Sequence, residues 1–158
     1  MASDIAKVLR TLEYGVYVVT MGEGDTGNAF TASWLTQVSS DPPMLAMAVN
    51  NKHQSTRLLK EHGSFAVNLI AAGQEAVAKT YYGPAESGYQ KLSSYNVGKA
   101  PVTGCPIISG AIGFLDCRIT NMIVTGNHTL IIGEVVAAKY DSSEPILSSS
   151  NSKLRYTG

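Results

Sequence analysis

Residues 111–140 read AIGFLDCRITNMIVTGNHTLIIGEVVAAKY. Two long runs, 111–124 and 129–140, are rich in β-branched and apolar side chains. Gly126-Asn127 between them supplies the turn chemistry of a hairpin. The stretch therefore predicts two long antiparallel strands. The same grammar recurs toward the N-terminus. Residues 64–70 (SFAVNLI), 44–49 (MLAMAV) and 16–21 (VYVVTM) read as shorter strands. Residues 22–27 (GEGDTG) form a turn on composition. Residues 28–38 are expected to return across it as one strand. Asp41-Pro42-Pro43 then breaks the chain, because proline cannot donate to a ladder.

Three short helices are expected. The first is capped by Ser3 or Asp4, carries Ile5, Val8, Leu9 and Leu12 on one face, and ends at Gly15. The second takes Ser55 as its N-cap, carries Leu58 and Leu59, and ends at Gly63. The third covers 74–82 and is stopped by Gly83-Pro84. Residues 84–104 read as an excursion with weak secondary structure and the character of a lid. The Ser-rich tail after Asp141 reads as partly mobile. The count is six or seven strands in successive hairpins, with no regular βαβ alternation. This predicts a mainly β chain, an antiparallel barrel or sandwich with peripheral helices. It excludes a Rossmann fold, since neither G-x-G-x-x-G nor G-x-x-x-x-G-K-[ST] follows any strand.

The chain has 158 residues, 44% of them hydrophobic and 15% charged. That length is one ordinary domain, read here as spanning 1–158. Twelve basic and twelve acidic side chains balance to a formal charge of zero. Nucleic-acid and anionic-membrane binding gain no support from such a balance. The first residues, MASDIAKVLR, do not make a secretory signal, and no run of about 18 apolar residues exists. Cys105 and Cys117 make neither a CxxC pair nor, with three scattered histidines, a zinc pattern; no metal site is expected. Free thiols and a cytoplasmic location fit two cysteines better than a disulfide does. Sparse charge also fits a subunit that buries a face against its own copy.

Three stretches could carry chemistry. Residues 28–43, NAFTASWLTQVSSDPP, crowd Thr31, Ser33, Thr36, Gln37, Ser39 and Ser40 into one strand and its exit. In a single strand Thr31, Ser33 and Leu35 share a face, and Ala32, Trp34 and Thr36 the other. Donors and acceptors spaced along a strand edge suit a flat heteroaromatic ring; a solvated strand face followed by a turn would look the same. Residues 50–57, NNKHQSTR, place two hydroxyls at a helix N-terminus beside Lys52, His53 and Arg57. Amides, helix dipole, hydroxyls and a cation together make a phosphate grip; a polar loop with a Ser cap is the plainer alternative. Gly126-Asn127-His128 puts an imidazole at a hairpin exit, where it can meet a ligand edge or a proton, or stand exposed.

Taken in order, Thr31-Ala32-Ser33, Val38-Ser39, Pro42-Pro43, Ser55-Thr56, residues 65–69 (FAVNL) and Gly126-Asn127-His128 with residues 132–135 (IGEV) resemble the flavin reductase-like family. The resemblance runs from about residue 5 to 147. The local wording is most similar to flavoredoxin-type members and to flavin-reductase modules of multidomain flavoproteins. It implies the FMN-binding split barrel, a homodimer, FMN in each subunit, and electrons passing from NADH or NADPH to free flavin or a protein partner. It further implies that Thr31, Ala32, Ser33 and Trp34 line the flavin ring, with Ser39 also in reach. Lys52, Ser55 and Thr56 would hold the phosphate, and His128 would face nicotinamide and flavin as the catalytic histidine. Asn127 stands where many members have aspartate, so an anionic contact is lost. An electron-transfer flavoprotein with little NAD(P)H activity, and a non-catalytic flavin- or haem-binding module, are the alternatives. In either flavin-dependent case the cofactors do the hydride chemistry and the protein supplies position and electrostatics.

Overall fold

The computed structural model describes residues 2–82, 92 and 97–158. The chain runs α1 (Asp4–Leu9), β1 (Tyr17–Met21), a 3₁₀ turn (Gly24–Thr26), β2 (Asn28–Ala32), β3 (Leu35–Ser40), β4 (Pro43–Asn50), α2 (Gln54–His62), β5 (Ser64–Leu69), α3 (Glu75–Thr80), β6 (Val97–Lys99), β7 (Pro106–Ile108), β8 (Gly113–Thr125) and β9 (His128–Tyr140). Seven strands form one antiparallel sheet in the order β2-β1-β5-β8-β9-β4-β3, and β6 with β7 makes a separate ribbon.

The two edges of that sheet, β2 and β3, are joined by Ser33 and Trp34 alone. Three Cα-to-Cα steps reach about 11 Å. Seven strands laid flat would hold their edges roughly 28 Å apart. The sheet therefore rolls back on itself, and the chain steps across the seam: an antiparallel barrel split between β2 and β3.

The single strand expected over 28–38 is thus two strands on opposite sides of the seam. Pairing with β1 ends at Ala32, opposite Tyr17. Two residues on, the Trp34 carbonyl accepts from the Ala48 amide of β4 at 2.9 Å. Both halves are β-prone, so periodicity does not reveal the change of partner. The face-sharing expected of Thr31, Ser33 and Leu35 is lost with it. The strand count exceeds six or seven for this reason and because β6, inside the 84–104 excursion, pairs with β7 just beyond it. Residues 84–91 and 93–96 of that excursion, and Gly83-Pro84, lie outside the described residues.

The barrel interior holds Val19, Met21, Met47, Phe65, Val67, Cys117 and Ile131, all fully buried. Alternate residues of β1 point the other way, and Val16 and Val18 pack with Ile70, Tyr81 and Leu147 in a second cluster. Apolar burial on both faces explains why 16–21 and 64–70 read as nearly continuous hydrophobic runs. Two buried polar side chains are answered by backbone groups. Asn68 donates to the Val18 carbonyl and accepts from the Ile108 amide at 2.8 Å, and Asp116 accepts from the amides of Val102 and Thr103.

Four local expectations are revised. Helix α1 ends at Leu9, short of Gly15, and its apolar face lies open, with Ile5 74% and Val8 63% exposed. The N-cap of α2 is His53; Ser55 sits inside the first turn and is buried. Helix α3 covers fewer residues than 74–82. The Ser-rich tail is pinned, not mobile at its start: Leu147 is fully buried, its amide donates to the Ile70 carbonyl, and its carbonyl accepts from the Val16 amide.

Candidate functional site

The barrel seam delivers Trp34 to one place. The β4–β9 ladder delivers the other two stretches to the same place, because Asn50 pairs with His128. The loop after β4 is stitched to the hairpin turn: the Asn51 amide donates to the Asn127 carbonyl at 2.9 Å, and Thr129 donates to Asn51 Oδ1 at 2.6 Å. Gly126 takes φ 55°, which the tight β8–β9 turn requires and other residues resist.

His128 is only 4% exposed, more deeply set than a side chain projecting over a pocket mouth. Its ring lies 4.8 Å from the Trp34 ring, centroid to centroid, at 33°. Asn127 Oδ1 stands 2.7 Å from Nδ1. A carbonyl oxygen only accepts, so Nδ1 carries the hydrogen. Burial, and then the nearby charge of His53, push the His128 pKa below its usual value. The ring is therefore neutral at pH 7, with Nε2 as an acceptor, and the Tyr156 hydroxyl donates to it at 2.9 Å. Asn127 thus keeps the orienting contact of an aspartate without its charge.

Tyr156 also packs edge-on against Trp34 at 4.9 Å, and Tyr14 approaches the same indole at 6.4 Å. Trp34 Nε1 is buried with no hydrogen-bond partner among the described residues. An orphaned donor of that kind costs about 1–3 kcal/mol. A cavity of about 210 Å³ opens beside the cluster, lined by Trp34, Tyr14, Tyr156, Leu9, Arg10 and Arg155.

Behind His128, the first turn of α2 faces the loop 50–53. His53 gives no side-chain cap to the helix. The Thr56 hydroxyl donates to the Asn50 carbonyl at 2.9 Å. Ser55 is buried and makes no side-chain hydrogen bond among the described residues, and Lys52 is exposed. A helix start without a side-chain cap, with the Ser55 hydroxyl in its first turn and the exposed Lys52 just before it, fits a phosphate monoester.

The remaining predicted residues lie elsewhere. The Thr31 hydroxyl donates to the Ala78 carbonyl at 2.6 Å, tying β2 to α3. Ala32 packs into the barrel core. Ser33 is buried at the seam beside Trp34. Ser39, opposite Met44, lies five residues along from Trp34, about 16 Å at strand spacing. Tyr156, Tyr14 and Asn50 were not singled out from sequence. The one available signal for Tyr156 was an aromatic residue in an otherwise polar tail. Among the described residues no group of three or more His, Cys, Asp or Glu side chains could hold a metal. No helix among them is long and apolar enough to cross a membrane.

Comparison with known proteins places this geometry in context. The family described as "Flavin reductase like domain" matches residues 9–158. A Rhizobium meliloti (strain 1021) protein is 32% identical over 125 residues, 78% of this chain, and this chain spans 39% of its length. The NADH-dependent FAD reductase of Streptomyces globisporus is 30% identical over 136 residues, covering 85% of this chain and 74% of that protein. The solved structure of BorF, the flavin reductase component of a bacterial two-component tryptophan halogenase, superposes with a TM-score of 0.83 at 28% identity, over 91% of this chain and 90% of that one.

Proposed function

This chain belongs to the flavin reductase-like family, and from that premise we propose that it is an NAD(P)H:flavin oxidoreductase that works through FMN. The observation that carries the reading is the meeting of three separate sequence stretches around Trp34 and His128, within a family match that covers nearly the whole chain. NADH is the favoured donor, since the named Streptomyces globisporus relative is NADH-dependent.

The residues present fit a flavin. The buried, unpartnered Trp34 Nε1 and the Ser33 hydroxyl at the seam suit the acceptors at the edge of a flavin ring. Thr31 and Ala32 bring the strand to that seam, and Ser39 extends its far side. The uncapped start of α2, with Ser55, Thr56 and Lys52, suits the single phosphate of FMN, and the chain has no Gly-rich pyrophosphate cradle. Bound flavin would accept hydride from a dihydronicotinamide and hand the electrons on. The protein's part is placement. His128, neutral and held by Asn127, offers Nε2 to a donor on the nicotinamide and aligns it over the site. The Trp34 indole forms a wall that excludes water from one side.

Two further points extend the reading. The open apolar face of α1, with Leu9 56% exposed, and Leu12 just beyond it at 47%, is the surface a second copy of this chain would cover as a homodimer. Light scattering that gives a monomer mass at micromolar concentration would contradict this. Free flavin, or a protein that consumes reduced flavin, is the proposed acceptor, and two buried free thiols suit the cytoplasm. Chromatography of the extracted cofactor, together with NADH and NADPH oxidation measured with and without added FMN, tests the assignment. FMN and flavin-dependent oxidation support it. FAD alone would overturn the FMN assignment, and a flavin that neither nucleotide reduces would leave an electron-transfer flavoprotein.

A further inference from the structure

We propose that Tyr156 is a built-in stand-in for the nicotinamide ring, occupying the slot beside Trp34 and His128 and thereby setting the affinity of the site for nicotinamide nucleotides. This rests on the functional reading above and deepens it.

The slot has a definable preference. Asn127 fixes the hydrogen on His128 Nδ1, so Nε2 can only accept, and its partner must be a donor. Trp34 supplies an aromatic wall beside it. Together they select a flat aromatic ring with a donor at its edge. The tail meets both conditions: the Tyr156 hydroxyl donates to Nε2 at 2.9 Å, and its ring packs edge-on against Trp34. Nicotinamide meets them as well, as a six-membered ring with a carboxamide N–H at its edge. A ring entering from solvent must take the same acceptor from the phenol.

The tail is also placed to yield. Its firm anchoring stops near Leu147 and Ser149, where backbone bonds join it to Ile70, Val16 and Tyr14. Farther on, Leu154 packs partly buried against the Val16–Leu147 cluster, and the hydrogen bonds that reach other elements are made by exposed groups. The Lys153 amide donates to Glu75 at 3.3 Å and the Tyr82 hydroxyl to the Arg155 carbonyl at 3.3 Å. The Arg155 guanidinium donates to the Arg10 carbonyl. Gly158 lies over the same two rings: a Cβ built there would come 3.3 Å from Trp34 and 3.5 Å from His128. Tyr156 belongs to no strand, so it can leave without breaking the barrel. When a ligand binds only the fraction of molecules with the slot open, its apparent affinity falls by that fraction.

Trp34 is the single tryptophan of the chain, so its fluorescence reports on the slot directly. The test titrates the full chain as purified with NAD+, following Trp34 emission, for wild type, Tyr156→Phe and Tyr156→Ala. Tyr156→Phe keeps the ring and removes the donor; it is expected to bind NAD+ about three- to tenfold more tightly, the scale of one net hydrogen bond. Tyr156→Ala, which opens the slot fully, is expected to bind at least as tightly as Tyr156→Phe. Unchanged or weaker NAD+ binding by Tyr156→Phe would overturn the proposal, as would a variant that only melts earlier. The two readings fail separately. Normal NADH-driven flavin reduction with NAD+ affinity indifferent to Tyr156→Phe contradicts the stand-in alone. Absence of both reduction and NAD+ binding in all three proteins contradicts the enzyme assignment and the stand-in together.

Discussion

The indole of Trp34 and the imidazole of His128 face each other 4.8 Å apart, although one leaves the barrel seam and the other opens its longest hairpin. Strand β4 explains the meeting. It takes the Trp34 carbonyl through Ala48 and pairs Asn50 with His128, so one strand carries both halves of the site. Replacing His128 by Ala should slow reduction of bound flavin by roughly tenfold, about 1.4 kcal/mol, and weaken flavin binding less. Stopped-flow reduction by NADH and NADPH beside a flavin titration of the same variant separates the two effects. Wild-type rates would remove His128 from the chemistry.

The hydroxyls of Ser55 and Thr56 are not equivalent. Thr56 already donates to the Asn50 carbonyl, whereas Ser55 makes no side-chain hydrogen bond among the described residues. Ser55→Ala should therefore weaken FMN binding by about 1.5–3 kcal/mol, the range for a hydrogen bond to a charged group. Thr56→Ala should act mainly on the loop, through melting temperature more than affinity. Titration that finds equal losses, or none, would place the phosphate elsewhere.

Gly133 lies under the Phe65 ring. A Cβ there would meet ring carbons at 2.7 and 2.8 Å and Cys117 Cβ at 3.4 Å. Phe65 and Cys117 are both fully buried in the barrel core, so neither can move aside freely. Gly133→Ala is expected to destabilise the fold by about 1–3 kcal/mol through overpacking. Thermal unfolding of the variant checks this, and an unchanged melting temperature would mean the barrel yields more easily than its packing implies.

Stability should fall on mild acidification. The folded-state pKa of His128 is lowered from 6.5 by burial and then by His53, so the unfolded chain binds this proton more readily. Stability from this source is complete above pH 6.5 and is lost as pH drops below it toward the lowered folded value. Denaturant melts across that window should show the decline, and His128→Gln should flatten it. A wild-type curve that stays level would mean that the proton finds a compensating partner.

The β-hairpin of 111–140, the strands around it and the αL turn at Gly63 were legible because each rests on local chemistry: β-branched runs, turn residues and a helix stop. The 50–57 and 126–128 stretches could be picked out as candidates for the same reason. Their meeting could not, since it depends on the register of β4 with β9. The seam at Ser33-Trp34 was invisible because both flanking segments favour strand. Tyr156 was hidden by composition: a serine-rich tail reads as mobile, whereas long-range contacts, among them the bridges of Ser148 and Ile146 to Gly15 and Ala71, hold its start in place. The thiols of Cys105 and Cys117 are free and, as composition does not reveal, buried, with the Cys117 pKa pushed up to about 12, chiefly by desolvation.

The most direct test of the central claim is anaerobic mixing of the FMN-loaded protein with NADH while the flavin absorbance is followed. The account predicts rapid bleaching of the flavin, matched by loss of an equal amount of NADH, with recovery of the colour on admitting oxygen or free flavin. Flavin that stays oxidised in the presence of both NADH and NADPH would contradict it.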